Sequence, residues 1–357
     1  MRARDLGITI GPLPPGEHNA ITDGPGVRVG HTTLIEGDAV RTGVTVIVPH
    51  EGEPLLDPLF AGTHRLNGNG EMTGTHWIRE SGLLASTIGL TNTHRVGVVR
   101  DALVAAAVRQ APPEAAVWSM PVVAETYDGG LNEINGQHVR AEHVHAALAS
   151  ASAGAVAEGS VGSGTGMICH GFKGGIGTSS RRLSRDAGGH TVGVLVQANH
   201  GRRERLRVNG RPVGERLEAI PLPRTVVDLP PEAGSIIVIV ATDAPLLPGQ
   251  CDRLAQRAAL GVARSGGSGE NSSGDLMLCF STGNRGLSAV IDEQTHSLAV
   301  TMLGHAHIDA LFDAVIDATE EAILNAMLAA GTMHGRDGSV AYGLDPDALL
   351  AAMGSDS

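Results

Sequence analysis

A layered sandwich of β-sheet and α-helix is the fold class that this sequence predicts, and three observations carry it. Short β-branched runs alternate with a few long Ala-rich stretches, without the regular strand–helix period of a Rossmann fold or a barrel. Apolar residues make up 42% of the 357, and the mean hydropathy is +0.04, enough for a substantial core. Aromatics are only 2%, so that core must be built from Ala, Val, Ile and Leu, whose small side chains suit closely packed layers. The 49 glycines are about twice the usual share and imply many tight turns and close backbone approaches.

Taken in order, the first twenty residues carry Pro12, Pro14 and Pro15 and read as an irregular arm. Strand-like runs follow at Val27–Val29 and Gly43–Val48. Thr63–Trp77 is rich in Gly, Asn and Thr and reads as a functional or tightly turned loop. Ala and Val dominate Val98–Arg109, a helix that Pro112 and Pro113 stop. Ala116–Ala124 reads as a strand and Ala141–Ala151 as a second helix. Gly154–Gly177 holds nine glycines in twenty-four residues, so backbone conformation matters there more than side chains. Thr191–Gln197 is a strand ending at Ala198-Asn199-His200-Gly201. Asn209-Gly210 favours a type I′ turn and marks a hairpin. Pro221–Pro231 resembles a linker leading into a strong strand, Ser235–Ala241. Gln250–Arg264 is an amphipathic helix, followed by a Ser/Gly-rich loop; Asp275–Thr282 and Ser297–Met302 read as strands. Ile308–Ala330 is the longest helix, with Leu311, Val315, Ala318 and Ala322 near one face.

Composition excludes several classes of function. A formal charge of −12 argues against nucleic acid, because phosphate binding needs a basic surface. There is no run of about 18 apolar residues for a membrane span, and the basic N-terminus lacks the apolar stretch of a signal peptide. Three cysteines without a CxxC pair read as small buried hydrophobes in a reducing cytoplasm.

The junction Glu232-Ala233-Gly234-Ser235-Ile236 sets a proline-rich tether against a strand at a Gly-Ser pair. Gly234 places no Cβ beside its carbonyl, and Ser235 offers a hydroxyl one residue away. That permits an N→O acyl shift followed by ester hydrolysis. The freed α-amine, with a reference pKa of about 7.7, could then serve as base for its own hydroxyl. By itself the pair is more simply a turn glycine ahead of a strand-initiating serine.

Longer blocks take the reading further. GSIIVIVATDAPLLPGQCDRLAQRAALGVARSG and NSSGDLMLCFSTGN, with LNGNGEMTGTHW, PVVAETYDG, VGVLVQANHG and ATEEAILNAM upstream and downstream, run in one order from Asp23 to Gly338. Together they resemble the self-processing L-aminopeptidase/D-esterases and β-peptidyl aminopeptidases. The resemblance implies a four-layer αββα sandwich like that of N-terminal-nucleophile hydrolases but with different connectivity. It implies one catalytic domain, residues 1–357, cut into 1–234 and 235–357. By matching position, Ser235 is the nucleophile, and Ser273 and Asp275 are the serine and acidic pair beside it. Some members carry Glu where Asp275 stands. Asn199 matches the residue whose amide stabilises the oxyanion, although Asn is also a routine turn residue. Glu125 is expected to bind the substrate's free ammonium, and Tyr127 to donate a hydrogen bond near the same carbonyl. The Asn67–Glu71 loop lines the pocket or is only a tight turn system. Substrates are small peptides, amides or esters with a free amine, and family precedent implies a homo-oligomer of four processed units.

Rival readings have less support. Gly162-Ser163-Gly164-Thr165-Gly166 matches neither GxGxxG nor a P-loop, so no nucleotide cofactor is expected. His143/His145 and His305/His307 stand at i, i+2, which do not share a helix face, and HExxH is absent, so no catalytic metal is expected. No GxSxG elbow occurs. Two alternatives stay open. An acyltransferase of the ornithine acetyltransferase type shares the architecture but typically uses Thr where Ser235 stands. The other is a ligand-binding scaffold that never cuts itself.

Overall fold

The computed structural model describes residues 1–113, 117–225, 234–287 and 295–354. Two stacked sheets form its centre, and helices cover both outer faces. The smaller sheet contains β1 (Arg28–Glu36), β2 (Val40–Val48), β5 (Ile88–Asn92) and β6 (Val122–Thr126), in that spatial order. The larger has six strands. It is built from β3 (Leu59–Gly68), β4 (Leu83–Leu84), β7 (Gly175–Arg182), β8 (Thr191–Asn199), β9 (Ser235–Thr242) and β10 (Gly274–Ser281). Its spatial order is β4-β3-β10-β9-β8-β7. All neighbours in it are antiparallel except β9 and β10, which run parallel.

Alternation along the strands sorts residues between layers. In β9, Ile237, Ile239 and Ala241 enter a core between the sheets with Leu278, Phe280, Leu195 and Ile88. Ile236, Val238 and Val240 face the other way, against Leu254, Ala258, Val315 and Ala322. These last belong to α4 (Pro248–Arg264) and α5 (Asp309–Leu328). A third core joins the smaller sheet to α2 (Val96–Gln110) and α3 (Ala141–Ser150) through Val44, Val46, Val99, Leu103 and Val144. Of the other helices, α1 (Thr75–Ser81) sends Ile78 into the core between the sheets, and α6 (Pro346–Gly354) adds Leu349 and Ala352 to the helix-side core. The order helix, sheet, sheet, helix is the αββα sandwich expected, and small residues allow it to close. A Cβ on Gly177 of β7 would lie 1.9 Å from the Ala322 carbonyl of α5.

The expected hairpin at Asn209-Gly210 is present. Both residues take positive φ, 50° and 80°, between the short strands Arg207–Val208 and Arg211–Pro212.

Two expectations are overturned. Thr63–Trp77 is not one loop: Thr63–Gly68 completes β3, and Thr75 starts α1. β4 pairs only with Leu59 and Phe60, and beyond Ala61, whose N–H donates to the Gly82 carbonyl, no strand of the described residues pairs with that edge of β3, which suits polar residues. Ser297–Met302 is not a strand. Leu298, Val300 and Met302 are exposed and no strand of the described residues pairs with the segment, so its alternating pattern has no sheet to join. The strand read at Ala116–Ala124 lies further on, at Val122–Thr126, and Ala116 falls outside the described residues. The N-terminal arm is irregular as expected, yet Ala3, Ile8 and Ile10 are buried in the helix-side core.

Candidate active site

The register of the larger sheet assembles the site. Ser235 is the first residue of β9, directly opposite Asn199, the last of β8, and on the other side opposite Gly274. Ser235 and Asn199 share the inner face of the sheet, because Ile237 and Leu195 of the same alternation do. The Gly274 backbone N–H donates to Ser235 Oγ at 3.0 Å. Close backbone approach explains the glycines here. A Cβ on Gly234 would lie 2.5 Å from the Asn199 carbonyl oxygen, and one on Gly274 would lie 2.7 Å from Gly70 Cα.

Asn199 is held at both ends. Its Oδ1 accepts from the Ile168 N–H at 2.8 Å, and its Nδ2 donates to the Tyr127 carbonyl at 3.1 Å, leaving one amide hydrogen. Tyr127 follows β6, with its ring against Gly129. The next residue, Asp128, is fully buried. It accepts from Asn92 at 3.1 Å and Asn132 at 3.0 Å, which fixes the turn carrying Tyr127. Glu125, at 3% exposure, accepts from the Glu71 N–H at 2.9 Å and from the Thr93 hydroxyl. Burial pushes its carboxyl above the ordinary range, and those two donors pull the other way. Gly70 stands between Glu125 and Gly274, since its Cβ would lie 3.3 Å from Glu125 Oε1 and 2.9 Å from Gly274 Cα.

Ser273 and Asp275 occupy the layer behind. Asp275 alternates with Met277 onto the helix side of the sheet, and Ser273 donates its hydroxyl to the Asp275 carboxylate. Burial raises the Asp275 pKa to about 6, against the Ser273 bond and with help from the Glu270 charge. The structure thus brings this pair to Ser235 through the Gly274 peptide rather than side chain to side chain. Opposite Asp275 and Leu276 the register skips Leu66, an extra residue that bends β3 at this point.

A cleft of about 910 Å³ opens onto these groups, lined among others by Ser235, Asn199, Tyr127 and Glu125. The Asn67–Glu71 segment does both things left open above. Asn69, Gly70 and Glu71 line the cleft, while Asn67 and Asn69 donate to carbonyls of the 270–273 turn that precedes β10. The wall opposite was missed. Leu222, Pro223 and Thr225, read as the start of a linker, line the cleft beside Ile220; the rest of that linker, 226–231, lies outside the described residues. Arg203 organises this wall. Its guanidinium donates to the His170, Leu217 and Ile220 carbonyls and covers the Phe172 ring at 3.5 Å. An Arg in a polar run gives no sign in sequence of which carbonyls it will gather.

Comparison with known proteins bears on this arrangement. The family model described as peptidase family S58 matches residues 19–341. The chain belongs to peptidase family S58. This S58 peptidase is 47% identical over 369 residues to the beta-peptidyl aminopeptidase BapA of Sphingosinicella microcystinivorans, covering 99% of the chain and 91% of that protein. Among solved structures it resembles a Burkholderia sp. beta-aminopeptidase, with a TM-score of 0.93 and 57% identity over 99% of this chain and 98% of that one. It also resembles the L-aminopeptidase D-Ala-esterase/amidase of Ochrobactrum anthropi, with a TM-score of 0.88 and 42% identity over 99% and 98% of the two chains. That structure is described as a new variant among the Ntn hydrolase fold, in agreement with the layers seen here. None of these likenesses supports the acetyltransferase-like or non-enzymatic alternative. No helix of the described residues is long and apolar enough to cross a membrane.

Proposed function

We propose that this S58 peptidase is a self-processing serine aminopeptidase with Ser235 as its nucleophile. The observation that carries the reading is the setting of Ser235: first in a central strand, preceded by a glycine, open to the cleft and facing Asn199. In maturation, Ser235 Oγ attacks the Gly234 carbonyl, the C–N bond breaks as the amine takes a proton, and water hydrolyses the resulting ester. In turnover, the freed α-amine accepts the hydroxyl proton as Oγ attacks the substrate carbonyl. The remaining Asn199 N–H stabilises the tetrahedral oxyanion, a contribution of roughly 2.7–4 kcal/mol for such a donor. The proton passes to the leaving amine, and water releases the acyl group. Asp275 keeps Ser273 oriented behind the Gly274 peptide, whose N–H holds Ser235 Oγ.

Glu125 pairs with the substrate's ammonium, which restricts the enzyme to free N-termini of peptides, amides or esters. Two similar proteins are named as β-aminopeptidases, which favours substrates with an N-terminal β-amino acid. The three cysteines are free and buried, which supports a reducing cytoplasm. A homo-oligomer of processed units rests on the family resemblance.

Denaturing mass spectrometry of purified, active protein tests the mechanism. It should show fragments 1–234 and 235–357, whereas Ser235→Ala should keep the full 36.6 kDa and hydrolyse no β-homoamino-acid p-nitroanilide. Turnover by an intact chain would refute the proposal.

A further inference from the structure

Behind the oxyanion residue lies a buried cluster that the reaction does not use. Cys169, His170 and His200 each offer one ligating atom, and the three atoms lie within 4.8 Å of one another. Cys169 Sγ stands 3.7 Å from His200 Nδ1. A tetrahedral zinc ion with usual bond lengths would set sulfur and nitrogen about 3.6 Å apart. His170 Nδ1 lies 3.1 Å from the Arg202 carbonyl, to which it can donate its N–H, leaving the lone pair on Nε2. Holding one ring nitrogen on a backbone carbonyl is how metal-ligating histidines are commonly oriented. His170 Nε2 is buried without a hydrogen-bond partner, as is His200 Nε2. Both residues are almost wholly inaccessible to bulk solvent. The two rings meet edge to face, with centroids 5.0 Å apart. Of the nearby cations, Lys173 turns its Nζ to the Gly164 and Gly174 carbonyls, and Arg203 gives its guanidinium to the His170, Leu217 and Ile220 carbonyls.

We propose that Cys169, His170 and His200 form a three-ligand site for a borderline-soft divalent metal ion, zinc(II) above all. A thiolate with two imidazoles selects such ions over magnesium or calcium. On binding, the thiol releases its proton to solvent and a water takes the fourth position. Ile168, Gly171 and Gly201, neighbours of the three ligands in sequence, line the cleft, so the site lies next to it. The site takes no part in acyl transfer. It ties the 168–170 strap to the end of β8, where the Ile168 N–H holds Asn199 and the His170 N–H donates to the His200 carbonyl at 2.7 Å. A bound ion therefore stiffens the support of Asn199.

Cobalt(II) titration of the chelator-stripped, purified protein tests this. One equivalent should produce the visible bands of a tetrahedral site and a sulfur-to-cobalt charge-transfer band in the near ultraviolet, and zinc should abolish both. Zinc should also raise the Tm. Cys169→Ser should lose the sulfur band and bind zinc at least ~10-fold more weakly, while Cys251→Ser keeps wild-type spectra. Should Cys169→Ser not fold, His170→Gln serves instead: the sulfur band should persist with binding at least ~10-fold weaker. Absence of these bands from folded wild-type protein, or unchanged zinc affinity in the folded variant tested, overturns the proposal.

Discussion

At the scale of single residues, two carboxylates behave differently because their partners differ. Asp275 is buried with a hydroxyl and with no adjacent cation among the described residues, and its pKa rises to about 6. Protonation removes the charge that orients Ser273, so kcat/KM should fall as the pH drops through about 6. The sign for stability is opposite. The folded chain holds this proton more tightly than the unfolded one, so Asp275 favours folding at low pH. That advantage is lost as the pH climbs from the ordinary 3.8 through about 6. Asp275→Asn should lower kcat/KM at least ~10²-fold, flatten the acid limb of the rate profile and flatten that part of the Tm–pH curve. Glu125 acts on the substrate instead. Glu125→Gln should leave self-cleavage intact and lower kcat/KM by about 10–100-fold, mainly through KM, since a charge-assisted bond becomes a neutral one. A denaturing gel and steady-state kinetics with β-homoamino-acid p-nitroanilides separate these effects. The identities of these residues were legible only through long matching blocks. The Gly-Ser pair alone had a simpler reading, and nothing in sequence placed Asp275 and Ser235 on opposite faces of one sheet.

At the scale of elements, legibility followed burial. The β9 run and the helices around 248–264 and 309–328 were readable because whole faces are apolar and their partners abundant. Thr63–Gly68 was not, since an unpaired edge leaves a strand no reason to be apolar. Ser297–Met302 failed in the opposite sense: alternation is necessary for a half-buried strand but does not supply its neighbour. The 207–212 hairpin was readable because positive φ at two successive residues demands a chemistry that Asn-Gly provides. Its glycine offers a clean test. Gly210 has φ +80° and open space around its Cβ position, so Gly210→Ala adds backbone strain without a clash. The expected cost is about 1–2 kcal/mol, read as a lower Tm with kcat/KM unchanged.

At the scale of the whole molecule, the N-terminal arm is sewn into the helix layer by charge. Arg181 and Glu321, both without exposed side-chain surface, pair at 2.8 Å, and Arg4 joins the same carboxylate at 3.0 Å. Asn19 donates to it as well, at 2.6 Å. Glu321→Ala would leave a buried guanidinium uncompensated, at a cost of about 3–5 kcal/mol, measurable by urea unfolding. A further consequence follows from the place of β9 and β10. They occupy the middle of the six-stranded sheet, and the strands on either side of them, β8 and β3, come from the other side of the Gly234–Ser235 bond. Scission there would yield two interleaved polypeptides rather than two separable lobes. They should co-elute at one native size and part only in denaturant, and neither, expressed alone, would own a complete hydrophobic interior.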